Sequence, residues 1–209
     1  MNYINKNELE CCLSAMAVLD IIMMPKEDEW LRLVSFYKNG SEHGYILDNG
    51  SGDRLTVFFV PKGAMIIGFD HESDLNQLGE GRGDESFINR IYAGAPEELV
   101  SRLSGEERLE TTFCMWCTDG TNWVQNETAE SDGGRAYLLG YIRQNAVEWC
   151  RWAEDYYDAW AEKYYDKSVH LSLVQRIYQG AGPSEAEIIG LNPCRNAQEA
   201  MKELSELLG

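Results

Sequence analysis

Three consecutive segments with strand composition, joined by short turns, constrain the fold of this chain most strongly. They are residues 45–47, 55–60 and 64–69, which are rich in β-branched and aromatic residues. The links between them carry Asn49-Gly50-Ser51-Gly52 and Pro61-Lys62-Gly63, which are typical turn sequences. Consecutive strands of this kind predict an antiparallel meander rather than alternating β and α units.

The residues on both sides of this region follow helical periodicity. Apolar residues recur at helical spacing over residues 9–19, and Pro25 ends that run. A second short helix is predicted over residues 29–37, ended by Asn39-Gly40. From about Gly134 onward the chain has helical character. These patterns predict an α+β fold, in which N-terminal helices and a C-terminal helical segment flank an antiparallel sheet.

The sheet is expected to lie between residues 42 and 125 and to contain about four to six strands. Residues 111–117 and 122–125 supply two of these strands, after a polar and Gly-rich stretch. We divide the chain into an α+β portion, residues 1–131, and a helical portion, residues 132–209. The two portions are predicted to pack as one compact unit.

Two capping pairs mark the last helices of the chain. Ser184 precedes Glu187 by three residues, and Asn196 precedes Glu199 by the same distance. A side chain at the first position accepts a hydrogen bond from the helix, and the acidic side chain reaches back toward it. Each pair therefore predicts the start of a helix.

The charge of the chain limits its partners. Lys and Arg number 18 against 35 Asp and Glu, which leaves a net charge of -17. The excess of acidic residues is spread evenly along the chain. Residues 1–104 carry 9 basic and 17 acidic residues, and residues 105–209 carry 9 and 18. Such a field repels phosphate backbones and anionic lipid surfaces and attracts basic proteins. We expect no nucleic acid or membrane partner, and we expect a basic protein partner.

The apolar run near the N-terminus does not fit an export signal. Cys11 to Met24 is too short to span a bilayer, is interrupted by Asp20, and follows Glu8 and Glu10 where a signal peptide carries basic residues. We therefore predict a cytoplasmic protein whose six cysteines stay reduced.

Two side-chain rows stand out on the long helical stretch after residue 145. Aromatic residues including Trp149, Trp152 and Tyr156 recur at spacings of three and four, so we expect them to be buried in the core. An unbroken acidic row at intervals of four is formed by Glu154, Asp158, Glu162 and Asp166. Like charges so placed destabilise a helix slightly. The row is either a solvated helix face or, in our preferred hypothesis, a docking edge for a basic partner.

Asp70, His71 and Glu72 form the densest group of ionisable side chains, where a strand ends in a Gly-rich loop. Loops at strand ends often carry functional residues. Adjacent residues of an extended chain point in alternate directions, however, and no second His lies at metal-ligand spacing. The competing interpretation is that Asp70 and Ser73 cap a turn. The sequence accordingly predicts no metal ion and no cofactor.

Two further motifs are interpreted as structural. Cys114 and Cys117 have the spacing of a redox motif, but they lie within a predicted strand, where their side chains would face opposite ways. We expect buried, unreactive thiols. The alternating glycines of residues 79–84 lack the Lys-Ser/Thr of a phosphate-binding loop and sit among acidic residues, so they predict a surface loop.

Several phrases of the chain resemble an uncharacterised family of bacterial proteins. The most distinctive is Gly68-Phe69-Asp70-His71-Glu72-Ser73, and others are found at residues 95–99, 111–116 and 152–157. The resemblance covers about two thirds of the chain in order and implies no known activity. Acidic bacterial proteins of this kind are also similar in type to toxin-neutralising immunity proteins.

Two functions remain open from the sequence. The first is a non-enzymatic acidic protein that binds a protein partner and, as an immunity protein does, neutralises a toxin. The alternative is a metal-assisted hydrolase centred on Asp70, His71 and Glu72. The first is preferred because no nucleophile or metal-ligand spacing is evident.

Overall fold

The computed structural model describes residues 4–78, 83–126, 131–158 and 170–209. These residues form a six-stranded antiparallel sheet flanked by helices, which confirms the α+β class. Its spatial order follows the chain, β1-β2-β3-β4-β5-β6. The strands are β1 (Val34–Asn39), β2 (Glu42–Asp48), β3 (Arg54–Val60), β4 (Gly63–Phe69), β5 (Phe113–Cys117) and β6 (Val124–Gln125).

The β3–β4 hairpin forms the centre of the meander. Its register runs from Val60 facing Gly63 at the turn to Arg54 facing Phe69 at the open end. β5 pairs with β4 on the other side, with Gly68 opposite Phe113. A Cβ on Gly68 would lie 1.9 Å from the Phe113 ring, so only glycine fits there. Because β3 and β4 are central, nearly all of their residues are buried.

Helices precede, interrupt and follow the sheet. A 3-10 helix covers Lys26–Leu31. Within the described residues the α-helices are α1 (Lys6–Met23), α2 (Glu85–Ile91), α3 (Glu97–Val100), α4 (Gly105–Glu110), α5 (Arg135–Leu139), α6 (Ala146–Asp158), α7 (Leu171–Tyr178), α8 (Glu185–Leu191) and α9 (Ala197–Leu208). None of the described helices is both long and apolar enough to cross a bilayer.

The helix predicted over residues 29–37 is wrong in its second half. The 3-10 helix ends at Leu31, and β1 begins at Val34. Asn39-Gly40 ends this strand and not a helix, with Gly40 at a φ of 62° in the turn to β2. An Asn-Gly pair fits both a helix end and a hairpin turn, and here pairing with β2 decides between them.

The chain divides into two compact units, each built from two stretches of sequence. Unit 1 comprises residues 1–7 and 37–141, and unit 2 comprises residues 8–36 and 142–209. In unit 1, side chains of the central strands pack against α2 and α3. This apolar cluster includes Phe58, Met65, Trp116, Phe87, Ile91 and Leu99.

Unit 2 buries one face of α6. Trp149, Ala153 and Tyr157 are fully buried at intervals of four residues. Trp149 thus confirms its predicted burial, whereas Trp152 and Tyr156 are only half-buried. Their rings stack on each other with centroids 4.5 Å apart. The buried face of α6 is therefore formed by Trp149, Ala153 and Tyr157. The predicted face, which included Tyr156, lies one residue to the side of it.

Polar side chains of unit 2 complete the C-terminal end of α1. The amide of Asn192 donates to the carbonyls of Ile22 and Met23, at 3.2 and 2.9 Å. The guanidinium of Arg195 donates to Ile21, and that of Arg32 to Met24. The last carbonyls of a helix lack partners within it, so these bonds stabilise an end that is otherwise buried.

Candidate functional site

Strand register brings the candidate site of unit 1 together. Asp53 directly precedes β3 and Asp70 directly follows β4. One step beyond the Arg54–Phe69 pair, the antiparallel register places Asp53 opposite Asp70. His71 is the next residue, so the open end of this hairpin carries two carboxyl groups and an imidazole.

Asp53 is the centre of the hydrogen-bond network at this end. Its side chain is 5% exposed. Its Oδ1 accepts from the backbone N–H of His71 at 3.0 Å and lies 2.7 Å from Nδ1 of the same residue. Its Oδ2 accepts from the amide of Asn49 at 2.8 Å and from the hydroxyl of Tyr137 at 3.2 Å. The carboxylate is therefore buried with its oxygens fully partnered.

The electrostatics of the Asp53–His71 pair favour both charges. Burial by itself raises the pKa of Asp53, but the hydrogen bonds from His71 and Asn49 outweigh burial and leave it below its usual range. The hydrogen bond to Asp53 raises the pKa of His71 above its ordinary value. The imidazole is 44% exposed, so Asp53 orients a ring that solvent and ligands can reach.

Asp70 is held by the turns around it. Its Oδ1 accepts from the backbone N–H of Glu72 at 3.0 Å, and its own N–H donates to Oγ1 of Thr112. A Cβ on Gly134, where φ is 81°, would lie 2.3 Å from Oδ2 of Asp70. Only glycine allows this turn to approach the carboxylate so closely.

The site thus differs in part from the group predicted by sequence. Asp53, Asp70 and His71 each offer a donor atom, and these atoms lie within 4.8 Å of one another. Glu72 is not part of this group; its side chain is 85% exposed, and its Oε1 lies 3.9 Å from Nε2 of His71. Sequence reasoning missed Asp53, although counting outward from the Pro61-Lys62-Gly63 turn places it opposite Asp70.

The turn-capping interpretation of this segment also has a basis in the structure. Besides the Asp70 bond to Glu72, the hydroxyl of Ser73 accepts from the N–H of Leu75 at 3.2 Å. The carbonyl of His71 accepts from the side chain of Asn76 at 3.0 Å. These bonds shape the turn after β4 and hold His71 and Asp70 in place.

The cysteine motif is structural. Cys114 and Cys117 are both buried and free. Their separation by three residues along β5 turns the side chains to opposite faces of the sheet. Burial raises the pKa of both thiols, which keeps them protonated. Of the glycine-rich motif, residues 79–82 lie outside the described part of the chain, so the surface loop stays a prediction.

The acidic row of α6 is described only at its start. Glu154 is exposed and Asp158 is the last residue of the helix, while Glu162 and Asp166 lie outside the described residues. The row as a docking edge therefore stays a prediction.

Several arginines form ion pairs with glutamates that are mostly buried. Arg32 bonds to Glu203, whose side chain is 15% exposed, and Arg102 lies 3.2 Å from Glu42, which is 14% exposed. The same type of pair is found between Arg54 and Glu110, between Arg176 and Glu187, and between Arg195 and Glu203. These guanidinium groups are held against the protein's own carboxylates.

Known proteins give no further guide to this site. The residues that define it are Asp53, Asp70 and His71, with Asn49 and Tyr137 bonded to Asp53. Comparison of the chain with protein-family models, with curated proteins and with solved structures finds no match.

Proposed function

We propose that this protein binds a basic protein partner through its acidic surface. The observation that carries the proposal is the net charge of -17, spread evenly over the chain. At least five arginines are engaged with glutamates of the same molecule, so they are poorly placed to offset the exposed carboxylates. A surface of one sign attracts a partner of the opposite sign over long range.

This electrostatic attraction acts mainly on the rate of association. Complementary charge steers encounters and raises the association rate constant, and salt at about 0.15 M screens it over about 8 Å. Binding should therefore weaken as the salt concentration rises. A partner bound chiefly by apolar contacts would not respond in this way.

The preferred docking edge is the row of Glu154, Asp158, Glu162 and Asp166. We would recover partners by tagged pull-down from the native cell and measure association rates at several salt concentrations. Replacing Asp158 and Glu162 by Lys should slow association severalfold, most strongly at low salt. The control is the double variant Asp74→Lys and Glu206→Lys, which changes net charge equally at exposed positions elsewhere.

The comparison of these two variants decides where the partner binds. If both double variants slow association equally, the overall negative charge attracts the partner and the acidic row is not the docking edge. Recovery of no basic protein, with the chain correctly folded, would contradict the binding proposal itself.

We further propose that binding neutralises a toxin and that the chain belongs to the bacterial family it resembles. This proposal is supported by the acidic character and by the Gly68–Ser73 motif. Genes beside this one in the native genome would then encode a basic toxin. Co-expression of the protein should restore growth to cells that produce that toxin. Growth inhibition that persists at matched expression levels would contradict the proposal.

A second candidate function is metal-assisted hydrolysis, and the grouping of Asp53, Asp70 and His71 favours it. A divalent ion held by Asp53, Asp70 and His71 would supply Lewis-acid chemistry that activates water near neutral pH. The acidic field favours neutral or cationic substrates over phosphate-rich ones. Hydrolysis of chromogenic esters and amides that is lost in His71→Ala would support this function.

A further inference from the structure

We infer that Asp53, Asp70 and His71 form a binding site for one divalent transition-metal ion. The inference is separate from the protein-binding proposal. It does bear on the hydrolytic candidate, which needs such an ion, and ion binding is measured independently of hydrolysis.

The donor atoms lie close to ligating distance. They are all within 4.8 Å of one another. In a tetrahedral site with bonds of about 2.1 Å, the ligand atoms are about 3.4 Å apart. The widest separation therefore needs to close by no more than about 1.4 Å. Rotation of partly exposed side chains such as those of Asp70 and His71 can supply this movement.

The ligand types select the class of ion. An imidazole nitrogen suits Zn²⁺ and other transition metals, whereas Mg²⁺ and Ca²⁺ prefer ligands that are all oxygen. One imidazole with two carboxylates fits Zn²⁺ or Mn²⁺ best. The thiols of Cys114 and Cys117 are buried and lie on a different strand from Asp70 and His71, so a thiolate site is not formed here.

Asp53 is oriented before any ion arrives. Asn49 and Tyr137 both donate to Oδ2, while Oδ1 faces Nδ1 of His71. The hydroxyl of Tyr141 lies 2.8 Å from that of Tyr137 and continues the network. Hydrogen bonds of this kind fix which oxygen of a carboxylate is presented to a metal. We assign Oδ1, which faces the other ligand His71, to the ion.

Asp70 and His71 are constrained in the same way by the turn after β4. Asp70 is bonded to the N–H of Glu72 and lies against Gly134, and the backbone N–H of His71 is bonded to Asp53. The backbone of both residues is thus fixed and only their side chains need to rotate on binding, which limits the conformational entropy that binding costs.

The ion would take the place of the hydrogen bond between Asp53 and His71. Nδ1 and Oδ1, now 2.7 Å apart, would both turn toward the metal. Binding of the ion would release the Nδ1 proton to solvent, and the neutral imidazole would keep its remaining proton on Nε2. Nε2 lies 3.9 Å from Oε1 of Glu72, and a small rotation of that exposed side chain makes it the acceptor.

The test is a titration of metal-free protein with Mn²⁺ and, in competition, with Zn²⁺. Free Mn²⁺ is measured by electron paramagnetic resonance, and the protein is followed by nuclear magnetic resonance. We expect one ion per chain and selective broadening of the His71 and Gly134 signals. Asp70→Asn and His71→Ala should each weaken binding at least about tenfold.

Two control variants separate the site from the general acidic field. Asp74→Asn removes a nearby exposed carboxylate outside the group and should leave affinity unchanged. Tyr137→Phe keeps all three ligands but removes one of the two donors to Oδ2 of Asp53, and should weaken binding less than loss of a ligand does. Circular dichroism and thermal melting of Asp70→Asn, the least disruptive ligand change, would test whether the variant remains folded.

The inference is overturned by either of two results. One is the absence of saturable binding up to about 1 mM of either ion, the weak limit for protein cation sites. The other is unchanged affinity in both Asp70→Asn and His71→Ala, which would mean that surface carboxylates bind the ion. Metal binding without hydrolysis would support this site and contradict the hydrolytic candidate alone.

Discussion

Asp53 in unit 1 and Asp20 in unit 2 are both buried aspartates, yet their environments have opposite effects on their pKa values. Asp53 is 4% exposed and Asp20 is 1% exposed. The pKa of Asp53 lies below its ordinary value, whereas burial raises that of Asp20 to about 6. Burial alone therefore does not decide the charge state of a carboxyl group.

The difference lies in how far the partners offset burial. Asp20 accepts from the hydroxyl of Tyr157 at 2.5 Å and from the N–H of Val34 at 2.7 Å, and both donors are neutral. The charge of Arg32 also lowers the pKa of Asp20, but burial outweighs all of these effects. Asp53 has an imidazole beside it that can carry positive charge. A cation compensates a buried carboxylate better than neutral dipoles do. Burial therefore favours the neutral carboxyl form of Asp20, whereas the partners of Asp53 favour its charged carboxylate form.

The largest expected effect tests Asp20 through pH. Its pKa is raised from 3.8 to about 6, so its stabilising contribution is complete below pH 4 and is lost as pH rises through 6. The stability of the native protein relative to Asp20→Asn should fall by roughly 3 kcal/mol between pH 4 and pH 7. Urea unfolding of both proteins at each pH measures it. A difference that does not vary with pH would show that Asp20 is charged throughout.

A smaller loss is expected when Asp20 loses its side-chain donor. Tyr157→Phe should lower the free energy of unfolding by about 2 kcal/mol at pH 7, because a buried carboxyl is left with fewer partners. Tyr178→Phe is the control, since its hydroxyl donates to a backbone carbonyl, that of Arg143, and not to a carboxylate. Equal losses in the two variants would contradict a special role for the Asp20 bond.

The weaker network around Asp53 should cost less to disturb. Tyr137 is 50% exposed, and Asp53 keeps its bonds to Asn49 and His71 when that hydroxyl is removed. We expect Tyr137→Phe to lower the free energy of unfolding by less than about 1 kcal/mol. Denaturant titration measures the change, and a loss as large as that of Tyr157→Phe would place Asp53 among structural carboxylates.

The smallest effect concerns charge and not stability. Asp53 raises the pKa of His71, so Asp53→Asn should return that pKa toward its ordinary value near 6.5. The imidazole carbon-bound protons report the titration by nuclear magnetic resonance. Glu72→Gln is the control, because Glu72 is more distant from the ring and should shift the pKa less. If Asp53→Asn leaves the pKa of His71 unchanged, the claim that Asp53 is held as a carboxylate by His71 is contradicted.

Local signals in the sequence were sufficient for much of the fold. Turn residues and strand composition predicted the meander, and the capping pairs at Ser184 and Asn196 are present at the starts of α8 and α9. These predictions succeed because a turn or a cap depends on residues within about four positions of each other. Residues 29–37 failed because Asn39-Gly40 is compatible with two local structures, and only pairing with β2 selects one.

The sequence by itself determined that the chain is acidic, that its central strands form a hairpin and that Asp70 and His71 stand at a strand end. Only the tertiary structure brought Oδ1 of Asp53 next to the imidazole of His71. It also placed the donors Asn49 and Tyr137 at Oδ2 of Asp53. It also turned Tyr157, rather than Tyr156, to the interior. The bonds of Asp53 join residues up to 84 positions apart, and the bond of Tyr157 to Asp20 spans 137. Such contacts follow from packing and strand register, which no local pattern encodes.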